Sequence, residues 1–217
     1  MPDLANALRE GARLVFFLLL VLALTFSYAI TNALLPAIAA SRPVVRMACW
    51  TLLTLTLYSA YACATTQESV PGSLHWDADP RRSLAMSAVV AILAGLAVLL
   101  PSPGHDRLDM LYIVAIAVVG EEVLFRGLLW DLIDGWSGRA GFLNLSGRIW
   151  LTALAFGLMH LQYHRFQLHR ASIAQSTYSF AVGIGLGVLR QRTGSVLPAI
   201  LAHSALNSLL NLILAVC

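Results

Sequence analysis

Five runs of this chain, Leu14 to Ala40, Met47 to Thr66, Ser83 to Leu100, Ala171 to Leu189 and Ser195 to Cys217, contain no Asp, Glu, Lys or Arg. Each approaches or exceeds the ~20 apolar residues that cross a hydrocarbon core. Inside lipid a backbone must satisfy its own N–H and C=O groups, which confines spanning structures to helices and closed barrels. One all-α bundle is the economical reading. Two further segments, Met110 to Trp130 and Ile149 to Tyr163, are apolar but carry polar side chains, and they bring the expected polytopic transmembrane bundle to about seven spans. Composition agrees: 12% of the 217 residues are charged, against about 25% in an ordinary soluble domain, and the mean hydropathy is +0.76. Arg9 and Arg13 ahead of the first run resemble the start of a secretory signal, but the run is longer than a signal's apolar region and reads as a helix.

The charged residues of Met110 to Trp130 are Glu121, Glu122 and Arg126. At roughly 2.5 to 3.5 kcal/mol for each charge at the bilayer centre, they ask for about 8 to 10 kcal/mol together. Their apolar neighbours, at about 0.3 to 0.6 kcal/mol each, barely match that. The charged face is therefore expected to turn into a protein interior, and an ionisable cluster at membrane depth is a functional-site hypothesis by default.

Elsewhere the charges say less. All 14 basic residues are arginine, and the net charge of +3 is spread over loops, which speaks against a nucleic-acid-binding patch. Loop arginines favour a cytoplasmic N-terminus by a modest margin. Cys49, Cys63 and Cys217 lie in or at the end of apolar runs, without disulfide or metal-ligand spacing, and read as small buried side chains. Residues 1–217 read as one membrane domain. Residues 1–105 are expected to be scaffold helices, with turns at Pro71-Gly72 and Pro101-Ser102-Pro103-Gly104, and residues 106–217 to be the helices bearing the polar motifs. The glycines of Gly183-Ile184-Gly185-Leu186-Gly187 lie within a span and not between a strand and a helix start, so they are no phosphate loop. Gly183 and Gly187, four apart, instead suit close helix packing.

Helical phase orders the polar residues. Glu122 and Arg126 are i and i+4 neighbours and can pair on one face, while Glu121 points about 100° away. One carboxylate is thus expected to be structural and the other free. Phe156 and His160 repeat the i, i+4 relation, and His203, Asn207 and Asn211 form a polar stripe on the last span. Each has an ordinary structural explanation: a histidine or asparagine joins helices by hydrogen bonds, and Glu122 with Arg126 is a buried ion pair. Jointly, a glutamate, two histidines and an asparagine from three helices comprise a general base, a second acid or base, and hydrogen-bond donors. That inventory suffices to hydrolyse an amide through an activated water.

The patterns Glu-Glu-x-x-x-Arg at Glu121 to Arg126, Phe-x-x-x-His at Phe156 to His160 and His-x-x-x-Asn at His203 to Asn207 resemble those of the CPBP intramembrane glutamic endopeptidases, the CAAX protease and bacteriocin-processing family. The lead-in Arg192-Thr193-Gly194-Ser195 with Pro198 is similar too. The resemblance covers Met110 to Asn211. It implies an endopeptidase of a cell membrane, with a bacterial inner membrane expected, that uses neither cofactor nor covalent intermediate and cleaves a membrane-associated protein or peptide. Glu121 would be the catalytic carboxylate, His160 would help activate water, and His203 and Asn207 would bind the scissile carbonyl oxygen, with Glu122, Arg126 and Phe156 in support.

Other classes compete. A metal held by His160, His203 and a glutamate is open by ligand type, although no His-Glu-x-x-His run exists. A serine protease would need a nucleophile within reach of its base; Ser204 diverges from its neighbour His203, and Ser195 falls in a loop. The aspartates lie in loops or at span ends, against an aspartyl dyad. A proton-coupled transporter would be expected to show repeated halves, and none is found. A catalytically idle scaffold or immunity-type protein that only binds a peptide is the remaining alternative.

Overall fold

The computed structural model describes residues 50–58, 106–133 and 145–216, with isolated positions at 11, 15, 16, 19, 89, 92, 96, 99 and 100. The expected spans at 14–40 and 83–100, most of the scaffold half, and all three cysteines lie outside the described residues or nearly so. What is described is helical, with no strand among those residues.

Residues 50–58 form α1. The charged segment forms a continuous helical rod, α2, built from α-helix Arg107–Leu111, π-helix Tyr112–Ile116, α-helix Ala117–Glu122, π-helix Val123–Leu129 and α-helix Trp130–Leu132. Helix α3 is Gly147–Met159, followed by the 3-10 turn His160–His164; α4 is Arg170–Thr193 and α5 is Leu197–Val216. Helices α4 and α5, of 24 and 20 residues, are long and apolar enough to cross a membrane. The 13 residues of α3, at about 1.5 Å each, fall short of that thickness on their own.

Every residue from Glu121 to Trp130 is buried. The charged segment is thus enclosed on all sides, beyond the one-sided burial that its sequence suggests. Three carbonyls within the π segments also accept from side chains on other helices. Asn207 Nδ2 donates to Ile113 O at 3.2 Å, Thr51 Oγ1 to Ile116 O at 3.4 Å, and Arg190 Nε to Arg126 O at 2.9 Å.

Close packing of α3 on α4 follows the small residues. A Cβ built on Gly183 would lie 3.0 Å from the Ala153 backbone, and one on Gly187 3.2 Å from the Ile149 side chain, whereas Gly185 faces open space. Gly157 of α3 reciprocates, since its Cβ would lie 2.9 Å from Ser176 O. This is the small-residue contact expected of Gly183 and Gly187. At the helix ends, Gly194 closes α4 at φ 68°, the left-handed conformation that glycine adopts without strain. His169 opens α4 with a capping box: its Nδ1 accepts from Ser172 N–H at 3.2 Å, and Ser172 Oγ accepts from His169 N–H at 3.0 Å.

Candidate active site

Glu122 and Arg126 meet as their spacing predicts, Nη1 donating to Oε1 at 2.9 Å with both side chains fully buried. Arg126 Nη2 donates to Gly183 O at 3.0 Å, tying α2 to α4. The guanidinium also stands 4.7 Å from the centre of the Phe156 ring, a cation–π distance. Phe156 is the hub of the site, edge-on to His160 at 4.7 Å and to His203 at 5.6 Å.

The sequence assigns Glu122 to Arg126 alone; the structure gives it a second partner. His203 Nδ1 lies 2.8 Å from the same Glu122 Oε1. An ionised carboxylate only accepts, so Nδ1 carries a proton and donates. The other nitrogen, Nε2, lies 3.8 Å from Glu121 Oε2, too far for a hydrogen bond but near enough for one water to contact both atoms. Glu121 and Glu122 diverge along the helix and still address one imidazole, because its two nitrogens face different ways. No phase argument along α2 could reveal this, since His203 lies on α5.

His160 Nδ1 lies 2.8 Å from Phe156 O. A carbonyl accepts only, so the proton sits on Nδ1 and Nε2 is left with its lone pair. The FxxxH spacing is therefore more than a ring stacked on a ring, because the backbone of the aromatic residue sets the tautomer of the histidine one turn later.

A cavity of about 400 Å³ opens beside these groups, lined on the α3 side by Phe156 and His160, and on α5 by His203, Leu206, Asn207 and Leu210. Helix α4 supplies Ala174, Gln175, Tyr178, Ser179 and Val182. Three of the four residues expected to share a pocket, His160, His203 and Asn207, thus line one cavity. Glu121 is not in its lining and is reached through His203. Asn207 uses one N–H on Ile113 O, and its second has no partner among the described residues. Asn211, further along the stripe, donates to Leu100 O at 3.2 Å, a helix-joining bond. The polar α4 wall was missed from sequence, although Gln175 and Ser179, four apart in a lipid-length run, are a readable signal.

Chemically the arrangement offers a carboxylate, an imidazole with a free lone pair, an amide donor, and a second imidazole spanned by two carboxylates. Among the described residues no three His, Cys, Asp or Glu side chains are grouped so as to hold a metal ion; the metal set considered from sequence, His160 with His203 and a glutamate, is not assembled. Residues 103–209 match the family model described as type II CAAX prenyl endopeptidase, Rce1-like. No curated protein and no solved structure matches the chain.

Proposed function

Since residues 103–209 belong to the type II CAAX prenyl endopeptidase, Rce1-like family, we propose that this chain is an intramembrane endopeptidase acting through an activated water with no covalent intermediate. Its substrate is a membrane-associated protein or peptide, and its setting a multi-pass bundle of about seven spans in a cell membrane. The observation that carries the proposal is His203, hydrogen-bonded to Glu122 through one nitrogen, 3.8 Å from Glu121 at the other, and facing a cavity shared with His160 and Asn207.

In this mechanism water sits against Glu121, and His160, with its lone pair directed by the Phe156 carbonyl, helps to orient it. Glu121 takes a proton as the water oxygen attacks the peptide carbonyl carbon. The resulting oxyanion is met by the remaining N–H of Asn207 and by His203. Because His203 Nδ1–H is committed to Glu122, the ring donates from Nε2 only as an imidazolium. In that form His203 and Arg126 balance the charges of Glu121 and Glu122, so the buried cluster is neutral overall. The proton held by Glu121 then passes to the departing amine, the C–N bond breaks, and the products are a carboxylic acid and an amine. Glu122 and Arg126 hold His203 and touch no reacting atom.

The test is Glu121→Gln in purified protein, with a prenylated CAAX peptide carrying a fluorophore and quencher as the probe. The amide keeps the shape of the side chain but cannot take the proton. Cleavage should fall by about 10²-fold to 10⁴-fold, the worth of a general base, with the protein still folded. Cleavage at the wild-type rate would overturn the assignment.

A further inference from the structure

The cavity has two facing walls with the same periodicity. His203, Leu206, Asn207 and Leu210 on α5, and Gln175, Tyr178, Ser179 and Val182 on α4, each follow i, i+3, i+4, i+7, one face of a helix. The α5 wall holds the groups assigned to the reaction. The α4 wall is also polar, and nothing in the mechanism above uses it.

Gln175 is held in a defined orientation. Its Oε1 lies 2.7 Å from His164 Nε2; the amide oxygen accepts, so Nε2 donates, and the Gln175 NH₂ is the end left over. It donates to nothing among the described residues. His164 is itself fixed, its ring edge-on to His169 at 4.8 Å, and His169 is locked by the capping box with Ser172. Between them Arg165 and Phe166 both adopt positive φ, 52° and 59°, an unusual backbone path for non-glycine residues that brings His164 back against α4.

The chemistry of the occupant follows from the lining. Among the described residues no Asp, Glu, Lys or Arg borders the cavity, and an oriented pair of N–H donors suits a neutral acceptor. Successive carbonyls of an extended peptide point to opposite sides. With the scissile carbonyl turned to His203 and Asn207 on α5, the adjacent carbonyl turns toward α4. We propose that Gln175 binds the backbone carbonyl next to the scissile bond, and that His164 is a positioning residue that sets the orientation of the Gln175 amide. The inference rests on the peptidase reading and adds the second wall of its substrate site.

The experiment measures KM and kcat with the prenylated CAAX peptide, and the Kd of the intact peptide for Glu121→Gln protein. Gln175→Leu should raise KM and Kd about tenfold, the worth of one hydrogen bond, with kcat nearly unchanged. Gln175→Glu keeps the acceptor for His164 and loses the donors; it should fold as wild type and show the same KM defect. His164→Ala should give a smaller rise that His164→Gln, which keeps a donor, reverses. Peptides with the carbonyl on either side of the scissile bond reduced in turn to CH₂ complete the test. One of them should bind Glu121→Gln protein about tenfold more weakly than the parent, yet lose nothing further when Gln175→Leu is added. Wild-type KM in both Gln175 variants, or equal sensitivity to carbonyl removal with and without Gln175, overturns this inference alone. A peptide that wild type does not cleave and Glu121→Gln protein does not bind overturns the peptidase reading and this one with it.

Discussion

Replacing Glu122 by Gln removes the charge at a fully buried position and nearly keeps the shape. The amide oxygen can still accept from Arg126 Nη1 and His203 Nδ1, now 2.9 and 2.8 Å from Glu122 Oε1, while the NH₂ takes the place of Oε2, which is buried without a partner among the described residues. What is lost is the counter-charge of a guanidinium with no exposed surface. Its remaining support is Gly183 O at 3.0 Å and the face of Phe156, while Arg126 Nε has no hydrogen-bond partner among the described residues. A cation over a desolvated ring is worth about 2 kcal/mol, against about 3 to 5 kcal/mol for breaking a buried ion pair by removing one partner. The second term wins. At about 2 to 4 °C per kcal/mol for a chain of this size, Glu122→Gln should melt roughly 6 to 20 °C below wild type. Thermal unfolding of the purified protein in detergent, followed by circular dichroism, measures the shift. Adding Arg126→Gln should recover part of it, because two amides leave no unpaired charge. A melting temperature within about 2 °C of wild type, which is under 1 kcal/mol, or a double variant worse than the sum of the singles, would refute the reasoning.

Two glycines of α4, on either side of Ile184, make a paired comparison. Gly183→Ala drives a methyl to 3.0 Å from the Ala153 backbone and should lower the melting temperature, whereas Gly185→Ala meets nothing and should be neutral or stabilise by about 0.5 to 1 kcal/mol through helix propensity; scanning calorimetry on the two proteins decides. Asn207→Ala should cut kcat on the prenylated peptide by about 10²-fold or more if its free N–H meets the oxyanion, and a change confined to KM would remove it from that role.

Much of the site is legible in the sequence because it is local. The Glu122 and Arg126 pair, the Phe156 and His160 contact, and the packing of Gly183 and Gly187 are all i, i+4 relations, and a helix fixes them whatever surrounds it. The burial of the trio follows from the cost of charge in lipid. Relations between helices are not legible in this way. His203 meets Glu122 across 81 positions of sequence, whereas phase within one helix pairs Glu122 with Arg126 and leaves Glu121 free. The cavity wall on α4 was hidden for a related reason: Gln175 and Ser179 look like scattered polar residues until α5 is placed opposite them.

The π segments show why the site requires the whole bundle. Ala117–Glu122, which ends in the two carboxylates, lies between two π-helices. Carbonyls of these π-helices accept from Asn207 of α5, Thr51 of α1 and Arg190 of α4. An isolated α2 in lipid would have no such donors and would be expected to return to regular i→i+4 pairing. Such a return would change the helical phase between Ile113, Glu121 and Arg126, and with it the direction of each side chain. The geometry around His203 is therefore a property of assembled helices. Asn207 serves both the rod and the cavity, since it donates to Ile113 O in the first π turn of α2 and lines the cavity beside His203.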